Sequence, residues 1–102
     1  MKHRTTLKIC GIRVALEVND PGGWANNGLG RSSEVACRIL VRSGMGKDQE
    51  LSVLMHEVVH MIDSINGLEL SETQVSVLGA ATAAFLLDND LTKYFVEESD
   101  NG

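Results

Sequence analysis

The sequence predicts an α+β domain in which a small antiparallel β-sheet packs on a central helix and a second helix. Two patterns predict it. Apolar residues alternate with polar ones through much of the first half, and in the second half they recur every three or four residues. Length adds a bound, because 102 residues suffice for one hydrophobic core and little more, so a single domain over 1–102 is expected. With 43% hydrophobic and 23% charged residues, the composition is that of a folded domain rather than a disordered chain.

In the first half, Leu7 and Ile9 alternate with polar neighbours, as do Ile12, Val14, Leu16 and Val18. The phase slips by one at Cys10-Gly11, where Gly11 predicts a turn or bulge. A further strand is expected with Val35, Cys37, Ile39 and Val41 on one face and Ala36, Arg38, Leu40 and Arg42 on the other. Cys10 and Cys37 are expected in these strands as small buried hydrophobes. So sparse a pair, in a chain without an export signal, reads as reduced thiols. Between the strands, Asn19 to Ser33 holds Pro21, Trp24 and several glycines without periodicity, which predicts a long loop. Trp24 either contacts a ligand or plugs the edge of the core.

The second half is expected to be helical. From Asp48 to about Asn66, the residues Leu51, Leu54, Met55, Val58, Ile62 and Ile65 fall on one stripe, and Gly67 is a suitable stop. Ser71 then supplies an N-cap, Gln74 its capping-box partner, and Leu70 with Val75 a hydrophobic staple for a helix to about Asp88. Gly79, Ala80, Ala81, Ala83 and Ala84 give that helix small side chains suited to close packing. One more short helix is expected between Asp90 and Val96, followed by an acidic, frayed end from Glu97 to Gly102.

A net charge of −5 and a pI near 5.0 give no overall basic footprint for a phosphate backbone, although a sum leaves a local patch open. Nucleic acid is therefore not an expected partner. The absence of a long apolar run excludes a membrane-spanning segment, and with the missing export signal it predicts a cytoplasmic protein.

The chemistry concentrates in His56-Glu57-Val58-Val59-His60. On a helix, residues four apart share a face about 6 Å apart along the axis, so two imidazoles converge on one tetrahedral ion. Glu57, beside the first ligand, is placed as general base toward a metal-bound water, and the pattern is that of a zinc protease. The ligand face lies nearly opposite the apolar stripe, so the helix is anchored by one side and binds metal with the other. A third ligand is sought among Asp63, Glu69 and Glu72. Asp63 lies a turn beyond His60 and suits the outer shell, orienting an imidazole, or else a plain structural role. Glu72, in the first turn of the next helix, is the preferred ligand, with Glu69 next; an acidic residue there is also favoured by the helix dipole alone. His3 reads as a surface residue. Tyr94, Arg38 and edge-strand amides are candidate oxyanion donors. Spacing assigns no residue to substrate binding and no oligomeric state.

The stretch from His56 through Asn89 resembles the minimal gluzincin metallopeptidases, particularly the ImmA/IrrE type and small phage-encoded relatives. The likeness rests on His56-Glu57-x-x-His60, then Gly67-Leu68-Glu69-Leu70-Ser71-Glu72-Thr73-Gln74-Val75, then a helix rich in leucine and alanine. The resemblance implies one zincin-like metallopeptidase domain with His56, His60 and Glu72 on Zn2+ and Glu57 as base. It further implies a protein or peptide substrate held as an added strand on the sheet edge, drawn from the regulatory proteins such enzymes cut. The alternative is a non-catalytic zinc-binding or interaction protein on the same fold.

Overall fold

The structure is a computed structural model that describes residues 3–19 and 29–94. Four strands, β1 (His3–Ile9), β2 (Ile12–Asn19), β3 (Gly30–Ser33) and β4 (Arg38–Arg42), form one sheet in the order β1-β2-β4-β3. Two helices follow, α1 (Lys47–Asn66) and α2 (Glu72–Asp88), then a 3-10 turn at Leu91–Tyr94. The α+β class is as the sequence predicts.

The hairpin of β1 and β2 turns at Cys10 and Gly11, both at positive φ (52° and 80°). Cys10 is thus an exposed turn residue and not a buried strand residue. The sheet itself is mixed rather than antiparallel, because β2 pairs with β4 in parallel. The reason lies in which segment takes the inner position. Ile39 and Val41 in β4 are fully enclosed at 0% and 1% exposure, so β4 sits between β2 and β3. The polar segment Gly-Arg-Ser-Ser of β3 goes to the edge, where one row of backbone groups is left for water.

β3 arises within the expected loop, and the strand expected from Val35 begins only at Arg38. The intervening residues make a tight turn. Ala36 N–H donates to Ser33 Oγ at 3.1 Å, Cys37 N–H donates to the Glu34 carbonyl at 3.1 Å, and Cys37 takes φ 52°. Val35 consequently projects into water at 98% exposure. Trp24 falls outside the described residues, as do the side chains of His3 and Tyr94 and the whole of 95–102.

One face of the sheet builds the core. Ile9, Val14, Leu16, Ile39 and Val41 meet Met61 of α1, with Val53, Leu54, Val58, Ile62 and Ile65 packed around them. α2 covers the other side of α1 through Val75, Gly79 and Ala83, while Val77, Leu78 and Phe85 remain exposed. On the outer sheet face Glu17 of β2 accepts from Arg4 of β1 (2.7 and 3.2 Å) and Asn19 (3.0 Å), and pairs with Arg38 of β4 (3.2 Å). The Arg4 hydrogen bonds, aided by the charges of Arg38 and Arg4 and by the Asn19 amide, outweigh burial and hold the Glu17 carboxyl below its usual 4.5.

Candidate metal centre

α1 carries His56, Glu57 and His60 because its apolar stripe fixes its rotation on the sheet. With Met61 and Val58 turned inward, the two histidines emerge on the flank between β3 and α2, half-buried at 27% and 33% side-chain exposure. Their rings lie edge to face with centroids 4.9 Å apart. Glu57 is turned closer to the sheet and is buried.

Glu72 arrives from the second helix by way of a tightly specified connection. Gly67 ends α1 in the left-handed conformation, φ 62° and ψ 42°, with its N–H donating to the Asp63 carbonyl, a bond that Leu68 N–H shares at 3.2 Å. Asp63 Oδ1 accepts from Leu70 N–H at 3.2 Å. Its carboxylate therefore acts on the α1–α2 connection rather than on an imidazole. Ser71 caps α2 with the full capping box: Gln74 N–H donates to Ser71 Oγ (3.1 Å) and Ser71 N–H to Gln74 Oε1 (2.8 Å). Glu72, the first helical residue after the cap, is thereby aimed back at α1.

Glu72 Oε1 lies 2.9 Å from His56 Nε2, and Oε2 lies 3.4 Å from His60 Nε2. These three side chains form the cluster of potential metal ligands found among the described residues, with one donor atom from each all within 4.8 Å of one another. Glu69, the other candidate, takes φ 58° in the connection and is not part of the cluster. Arg38 lies on the far face of the sheet against Glu17, away from the imidazoles.

Two glycines make the arrangement possible. A Cβ on Gly79 of α2 would stand 2.8 Å from His56 Cα and 2.9 Å from its nitrogen, so the helices touch backbone to side-chain-free backbone at the first histidine. A Cβ on Gly30 would stand 2.5 Å from Val53 Cγ1 and 3.3 Å from Glu57 Cγ, so β3 lies directly on the turn that bears Glu57. Gly30 and Ser32 line an open cleft with His56, Glu57, His60 and Glu72. A second depression, lined by Leu29, Gly30, Ser52 and Val53, shares His56 and Glu57 with it. Neither Gly30 nor Gly79 is marked by spacing as a site residue; a lone glycine in a polar strand and a glycine at the centre of an apolar helix are the signals that would have found them.

Fold and site together define an α+β domain with two histidines and a glutamate clustered beside an edge strand. Comparison of the chain with protein-family models, with curated proteins and with solved structures gives no match. Among the described residues no helix is long and apolar enough to cross a membrane.

Proposed function

We propose that the chain is a zinc-dependent peptidase of zincin-like architecture that acts on a protein or peptide substrate. The observation that carries this reading is the donor spacing. In a tetrahedral site with bonds of about 2.0–2.1 Å, neighbouring ligand atoms stand roughly 3.3 Å apart. One Glu72 oxygen stands 2.9 Å from the His56 nitrogen and the other 3.4 Å from the His60 nitrogen, and one donor atom from each side chain lies within 4.8 Å of the others, which supports a shared small ion once the three draw together. Two nitrogens and a carboxylate suit zinc, and three protein ligands leave a fourth position open.

Bound there, zinc would supply Lewis-acid polarisation of a carbonyl and a lowered pKa for water. Glu57 follows His56 directly and lines the same cleft, which supports a role for its carboxylate in taking a proton from attacking water and passing it to the departing amine. β3 is an edge strand whose residues border that cleft, so an extended segment added alongside it would run past Glu57.

The test is elemental analysis of the purified wild type and three variants. Wild type and Glu57→Gln are expected to hold about one zinc per chain, and His60→Ala and Glu72→Ala to lose it. Free zinc at a hundredfold excess over its dissociation constant should add about 2.7 kcal/mol of stability, reversed by chelator. Cleavage of a mixed peptide library by wild type but not by Glu57→Gln would establish turnover. Zinc binding without any Glu57-dependent cleavage would mark a non-catalytic zinc protein, and no zinc after supplementation would sink the metal site.

A further inference from the structure

The net charge of −5 conceals a segregated surface. Following the register across the strands, Arg4 and Lys8 of β1, Arg13 of β2, and Arg38 and Arg42 of β4 lie on the sheet face turned away from the helices, Arg42 with its Nε buried. These are five of the chain's nine lysines and arginines. Glu17 is the only acidic residue in the four strands, and Arg4 and Arg38 already hold it. Lys8 and Arg13 are direct cross-strand partners, both exposed, and no carboxylate among the described residues pairs with either. Like charges placed directly opposite one another cost stability. The same two positions would accept an opposite-charge pair at no loss to the core, so the cost calls for an anion from outside.

We propose that this outer sheet face docks an extended acidic segment of a partner protein. Three features favour carboxylates over a phosphate backbone. The face grips a carboxylate already, since Arg4 presents both Nε and a terminal nitrogen to one Glu17 oxygen with Arg38 3.2 Å from it. The strands contribute no aromatic side chain to this face on which a base would stack. The excess negative charge of the whole chain opposes a densely charged duplex more than a short peptide. The proposal stands apart from the metal cluster, which lies on the other side of the sheet.

The experiment is fluorescence anisotropy at low salt with a labelled peptide of alternating glutamate and serine, its glutamine counterpart, and a short DNA duplex. The acidic peptide should bind, weaken with added salt, and bind equally with zinc or chelator present. The double variant Lys8→Glu/Arg13→Glu should weaken it at least about tenfold, a loss of roughly 1.4 kcal/mol. Lys8→Glu alone should also weaken binding while raising the melting temperature, because it turns a repulsive pair into an attractive one; this separates lost docking from lost folding. Equal binding of the glutamine peptide, tighter binding of the duplex, no binding of the acidic peptide, or an unchanged affinity in the double variant would each overturn the proposal.

Discussion

Gly79 shapes the candidate metal centre without contributing a ligand to it. Its missing side chain lets α2 come within van der Waals contact of the His56 backbone, and Glu72 lies two turns earlier on that helix. In Gly79→Ala the new Cβ would meet His56 Cα at 2.8 Å, a backbone atom that cannot rotate aside. Overpacking of this kind costs about 1–3 kcal/mol, more than the gain in helix propensity from replacing glycine by alanine, about 1 kcal/mol at most. The expected outcome is a net loss of stability by urea denaturation, with weaker zinc binding in competition with a chelator as Glu72 is pushed from the imidazoles. A variant as stable as wild type would mean that the helices do not approach this closely. At this scale the sequence was partly legible: the HExxH pair and Glu72 are readable from spacing and cap position, because each depends on neighbours within one or two turns. The partners of Gly79 and Gly30 lie in other elements, and no local pattern reports them.

The element that decides where Glu72 points is the N-terminus of α2, and its capping box is therefore linked to the site as well as to helix stability. Ser71→Ala removes the acceptor for Gln74 N–H, which should cost about 1 kcal/mol. The same variant should bind zinc more weakly, since the residue after the cap loses its fixed direction; calorimetric titration of both proteins checks this, and an unchanged affinity would show that the Asp63–Leu70 bond alone positions the turn. The helices were legible almost to the residue because capping signals and αL glycines act locally: Gly67, Ser71 and Gln74 take the roles their order predicts. The strands were less so. Alternation at Val35, Cys37, Ile39 and Val41 is the same whether the chain runs straight or turns before Arg38. The turn there uses Ser33, Glu34 and a left-handed Cys37 in place of glycine or proline. β3 was hidden for the opposite reason: a four-residue polar edge strand has no buried alternate face long enough to register, and its pairing partner is what defines it.

For the molecule as a whole, the sheet is held on two faces by different physics. Apolar burial against α1 secures the inner one, and on the outer one Glu17 ties β1, β2 and β4 together through Arg4 and Arg38. Parallel pairing of β2 with β4 was not predictable from either strand, since it follows from β4 being apolar enough to take the inner place in the sheet; the same choice brings Arg38 beside Glu17 and sends β3 to the edge next to Glu57. That outer tie is sensitive to acid. Because the folded pKa of Glu17 is held below 4.5, folding releases a proton from this group only between the folded and unfolded values, and its contribution is fully present above the unfolded value. It is lost as pH falls through the lowered folded value, where the carboxylate is protonated in both states. Urea denaturation of wild type and Glu17→Gln, with chelator present to keep histidine-bound metal out of the comparison, isolates the effect. The stability gap between the two proteins should be constant from neutral pH down to about pH 5 and then close as the pH is lowered further. A gap independent of pH would mean that Glu17 contributes through packing and neutral hydrogen bonds, and that the arginines flanking it are held by the sheet rather than by its charge.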